Sequence, residues 1–227
     1  MRLKISHDTL STVLGAVHLG LMTNLLLIAG TAPFVALLVT TDLTRSWPLL
    51  VALAPLAFPA LVASASAFGD STDGVVRTWF RAWCQSFVKG LGLGAGVVAL
   101  VTVLAVDVRY VFGSRAGAVL IPVLVVLIAL VAVTAVHAVV ALAEVPDARL
   151  RDLLRWSAYL GVRRWYLSVV SLVVLGLLAL FVLSRPALGL GVAAAPLLYA
   201  VWGNTRFALR PAFGAPSVPG APAVAVA

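Results

Sequence analysis

Long uncharged apolar runs alternate with two polar islands along the whole chain. The runs cover 10–40, 47–68, 90–106, 117–142, 165–183 and 187–202, and about 20 apolar residues in a row is what a helix needs to cross the hydrocarbon core of a bilayer. The pattern predicts an all-α polytopic transmembrane bundle of about six spanning helices, occupying 1–210. A five-span chain, without 187–202, is the alternative. The first run is too long for one straight span, and Gly30, Thr31 and Pro33 mark a kink or break in it. It is also far longer than the apolar core of a signal peptide, so Arg2 and Lys4 are read as flanking an uncleaved anchor. Pro48, Pro55 and Pro59 should bend the second run. Gly90, Gly92, Gly94 and Gly96 open the third at a spacing that permits close helix packing. The uncharged Pro/Ala/Gly-rich end, 211–227, reads as a disordered tail.

The islands organise the rest. On a helix, Val76, Trp79, Phe80, Trp83 and Phe87 of the first island, STDGVVRTWFRAWCQSFVKG, form one stripe, and Arg77, Arg81, Gln85 and Lys89 lie opposite. Such a helix suits the membrane surface, with aromatic rings at headgroup depth and guanidinium groups on lipid phosphate. Asp70, Ser71, Thr72 or Asp73 should supply its cap, and Asp73 with Arg77 has the spacing of an ion pair. Interface helices are expected over 71–89 and 147–163. A shift of 74 residues superposes the two islands: Asp73 on Asp147, Arg77 on Arg151, Arg81 on Arg155, Val88 on Val162 and Lys89 on Arg163. That correspondence predicts a parallel internal repeat of span, interface helix and span.

Composition agrees with this reading. The 227 residues are 63% hydrophobic and only 11% charged, against about 25% charged in soluble domains. Mean hydropathy is +1.12. The net charge of +8 is scattered between apolar runs without a long basic stretch, which points to anionic lipid headgroups and away from nucleic acid. With six spans, both termini and both islands share one side. Only Arg45, Arg109, Arg115 and Arg185 of the 16 basic residues fall on the other, so the positive-inside rule puts the termini in the cytoplasm. Cys84, the one cysteine, has no partner for a disulfide or a thiolate metal cluster.

The TWFRAWCQSFVKG segment, preceded by a span containing Asn24-Leu25-Leu26 and then Pro33, resembles the YesL family of bacterial multi-pass membrane proteins. The likeness extends to about Pro211. Tryptophans replace some of that family's phenylalanines, and Ser86 stands where an amide is usual. The resemblance implies a bacterial cytoplasmic membrane and an association with carbohydrate ABC importers, whose permease subunits become candidate partners.

Chemistry is sparse. No zinc-binding H-E-x-x-H, nucleophile turn or phosphate loop occurs, so neither an enzyme nor a cofactor or metal site is expected. Polar groups inside spans are the default functional candidates, and His18, Asn24 and His137 form the possible intramembrane site. Partner or headgroup contacts fall to Arg77, Arg81, Lys89, Arg151, Arg155, Trp79, Trp83 and Trp156. The functional expectation is an accessory or assembly partner of a carbohydrate importer; the alternative is a small-solute transporter or channel with its path near the histidines.

Overall fold

The computed structural model describes residues 7–70 and 72–213; Arg2, Lys4 and residues 214–227 of the expected tail lie outside it. The described residues form helices throughout, without a strand: α1 (His7–Gly30), α2 (Ala32–Thr40), α3 (Leu43–Leu53), a 3-10 turn (Ala54–Leu56), α4 (Ala57–Gly69), α5 (Val75–Val111), α6 (Gly117–Glu144), α7 (Leu150–Arg163), α8 (Trp165–Ser184), α9 (Pro186–Leu188), a π turn (Gly189–Ala193) and α10 (Ala194–Phe213). This is an all-α polytopic bundle. Five helical stretches are long and apolar enough to span a bilayer: Arg45–Gly69, Val75–Val111, Gly117–Glu144, Trp165–Ser184 and Pro186–Leu209. The pair α1 and α2 makes a sixth if taken as one broken span. On α6 the valines at 119, 123, 125 and 126 all face outward, an arrangement that suits hydrocarbon and would be costly in water. The chain is a multi-pass membrane protein.

Breaks fall where backbone chemistry weakens the ladder. Between α1 and α2 the axis turns by 80° at Thr31, followed by Pro33 in the first turn of α2. Pro55 sits in the 3-10 turn joining α3 and α4, because proline offers no N–H to an α-helical ladder. Of the two GxxxG rows, one packs. A Cβ on Gly94 would stand 2.7 Å from the Phe58 ring and 2.8 Å from the Pro55 carbonyl, and one on Gly90 would stand 3.1 Å from Pro59 Cα, whereas Gly92 and Gly96 face open space.

Several boundaries differ from those the sequence predicts. The first interface helix is not a separate element: it is continuous with the third span as the 37-residue α5, about 55 Å long at 1.5 Å per residue. Gly90, read from sequence as a boundary, is a buried contact inside it. The last span is also longer than 187–202, and the helix runs on through residues 211–213 of the expected tail. The second interface helix is distinct: Arg164, at φ −111° and ψ 45°, separates α7 from α8.

Both asparagines of the chain secure α10. Asn24 on α1 donates to the Gly191 carbonyl at 2.8 Å and accepts from the Ala195 N–H at 2.6 Å. Those two groups are the i and i+4 partners of one ladder bond, so the side-chain amide stands between them as an inserted peptide unit would, the arrangement known to open a helix. From the other side, Asn204 donates to the Leu167 carbonyl at 2.6 Å and to Ser171 Oγ at 2.7 Å.

Candidate functional site

The two islands, the ends of α4 and α6, and the last turns of α10 meet at one polar end of the bundle. On α5 the buried face is Val75, Trp79, Ser86 and Gly90, a helical row that packs against α4. Trp79 is 2% exposed. Its indole Nε1 donates to Ser64 Oγ at 3.2 Å, and its ring lies over Gly30, where a Cβ would come within 2.9 Å. This corrects its assignment to lipid headgroups: the wide ring fills the space that Gly30 and Ala60 leave open. The expected apolar stripe is split, since Val76 and Phe80 face outward. Trp83 is half-buried, stacked on Trp79 with 6.0 Å between ring centroids and packed edge-on against Phe87 at 5.1 Å.

The polar face also differs in detail. Asp73 pairs with Arg81 at 3.1 Å and not with Arg77, because it precedes the helix and its carboxylate is free to reach two turns along. The residue before α5 is Gly74, at φ +92°, with no side-chain cap; of the candidate caps Ser71 lies outside the described residues, and Asp70, Thr72 and Asp73 do not take that role. Asp70 instead closes the connection on itself. The Thr72 N–H and hydroxyl both donate to its Oδ1, at 3.0 and 2.8 Å, and these bonds hold the Asp70 carboxyl below the usual carboxylate range. Lys89 is drawn inward, its ammonium bonded to the Pro146 and Ala148 carbonyls at 2.5 and 3.2 Å; it ties the first island to the start of the second and is not free for headgroups. Arg77 remains on the outer surface.

Helix α7 buries Leu153, Ser157, Leu160 and Gly161. It turns Arg151, Arg155, Trp156 and Tyr159 outward, as the sequence predicts for the first two and for Trp156. Trp165 and Tyr166 extend the exposed aromatic surface onto α8.

The intramembrane trio is not brought together. His18 faces outward on α1, and the Asn24 amide is engaged by α10. His137 is 1% exposed and packs beneath Gly161 of α7. Its Nδ1 lies 2.9 Å from the Val133 carbonyl. A carbonyl only accepts, so that nitrogen carries the proton. Among the described residues Nε2 has no partner.

Sequence reasoning missed a cleft of 290 Å³ between α4, α5, α6 and α10. Glu144, the only glutamate in the chain, bonds Arg206 Nε at 3.0 Å, and the Arg206 guanidinium lies 5.1 Å over the Trp202 ring. Arg81, Asp70, Thr78 and Gln85 line the same space. A lone glutamate closing an apolar helix was the one sequence signal for it. The sequence matches no family model, no curated protein and no solved structure.

Proposed function

We propose that this protein is an accessory or assembly subunit of a membrane transport complex, docking through the exposed ribbon of α7. The carrying observation is the division of that helix: leucines inward, Arg151, Arg155 and Trp156 outward. Arginine and aromatic side chains are the types enriched in partner contacts. The YesL resemblance directs the reading to carbohydrate ABC importers. The positive-inside count directs the ribbon to the cytoplasmic side of a bacterial inner membrane. Recovery from native membranes in mild detergent tests it. Importer permeases should co-purify, and the combined Arg151→Gln, Arg155→Gln and Trp156→Ala variant should lower their yield several-fold at unchanged helix content. A wild-type preparation free of permease subunits sinks the proposal.

One observation favours a second reading, that of a small-solute transporter. The break between α1 and α2 and the π turn before α10 flank Asn24, and interrupted helices are how transporters expose backbone groups to substrates. Solute flux into liposomes holding this protein alone, reduced by Asn24→Ala, would select it.

A further inference from the structure

The cleft at the polar end carries charge of both signs, the acids at the ends of α4 and α6 and the bases on α5 and α10, with Glu144 and Arg206 in contact. Asp70 and Glu144 stand at the ends of α4 and α6, where each helix C-terminus adds negative partial charge. Arg81 and Arg206 come from α5 and α10. Arg206 commits its Nε to Glu144, and Arg81 commits one terminal nitrogen to Asp73, so most of the five N–H donors of each guanidinium stay open. Thr78 and Gln85, the chain's single glutamine, line the cleft with side chains that no hydrogen bond among the described residues engages.

The formal charges of the four ionic lining residues cancel, so a bare anion or a bare cation meets as much repulsion as attraction. A ligand with both charges meets attraction at each end. We propose that the cleft binds a small zwitterion, its ammonium toward Asp70 and Glu144 and its phosphate between Arg81 and Arg206, the chemistry of a phosphoethanolamine group. Two planar guanidinium forks facing one space suit the several oxygens of a phosphate. Trp202 beneath Arg206 holds one fork in place. The volume of 290 Å³ lies at the lower edge of ligand pockets, about 300–1,000 Å³, enough for a headgroup and little more. The same group exists free in solution and as the headgroup of a diacyl lipid.

Native mass spectrometry of the full chain, titrated with phosphatidylethanolamine, phosphatidylglycerol and soluble phosphoethanolamine, tests this. Phosphatidylethanolamine should be retained at least tenfold better than phosphatidylglycerol and be displaced by soluble phosphoethanolamine. Binding of the soluble compound without the lipid supports the same site with a free ligand. Glu144→Gln should erase the preference between the two lipids. Gln85→Ala, at an exposed position, should weaken retention several-fold at unchanged helix content. Equal or better retention of phosphatidylglycerol, no binding of either zwitterion, or retention insensitive to Gln85→Ala overturns the proposal.

Discussion

The two islands share a spacing of aspartate and arginines, yet one continues into its span as a single helix and the other stops. At positions related by 74 residues, both bury the same helical face: Trp79 answers to Leu153 and Ser86 to Leu160, all 4% exposed or less. They part company at the following turn. Gly90 and Gly94 let α5 run closely past Pro59 and Phe58, whereas the equivalent positions hold Arg164 and Ser168. Arg164 donates to the Phe207 carbonyl of α10 at 3.0 Å, and Ser168 donates to the Gly161 carbonyl at 2.8 Å. A hydroxyl thus satisfies a carbonyl at the end of α7, which a broken helix would otherwise leave bare inside the bundle. Small residues favour passage and hydrogen-bonding residues favour a stop; the arginine spacing decides neither.

The contrast is most severely tested at the two tryptophans. Trp79→Ala should cost about 3–5 kcal/mol of folding free energy, as large aromatic truncations in a core do, while Trp156→Ala should stay within about 0.5 kcal/mol; reversible unfolding in detergent or bicelles measures both. Equal losses would mean that the islands are buried alike. The junction residues come next. Gly94→Ser should destabilise by about 1–3 kcal/mol through overlap with Phe58. Ser168→Ala should cost about 1–3 kcal/mol by stranding the Gly161 carbonyl and should speed amide hydrogen exchange around Arg164, with no counterpart around Gly90.

The smallest effect concerns the loop before α5. Because hydrogen bonds lower the folded pKa of Asp70 from its ordinary 3.8, its contribution is complete above that value and disappears as pH falls through the lowered one. The Thr72 amide resonance should titrate with that lowered midpoint. A midpoint at or above 3.8 would show that the Asp70 turn does not form.

Much of this fold is legible in the chain. Apolar runs locate the spans, and Thr31 with Pro33 locates the 80° break, because backbone chemistry is local. Local reading fails where two distant segments decide the outcome. Gly90 looks like a boundary until Pro59 is known to lie against it, and Asp73 seems destined for Arg77 until the helix is seen to begin only after Gly74, leaving Asp73 outside it. The cleft eluded sequence reasoning for the same reason: Glu144 and Arg206 are 62 positions apart, and nothing in either's neighbours announces the other. The islands were legible as amphipathic helices, but which aromatic faced inward depended on Gly30 and Ser64, contributed by other helices.

The amide of Asn24, lodged in the backbone of α10, has a bearing on biogenesis. A segment entering lipid with an unmade backbone bond carries a penalty of several kcal/mol, and here the group that relieves it sits 167 positions upstream. The span of α10 is therefore completed by one made well before it: α1 leaves the ribosome ahead of α10 and must wait in the bilayer, its amide unclaimed, until that later helix arrives.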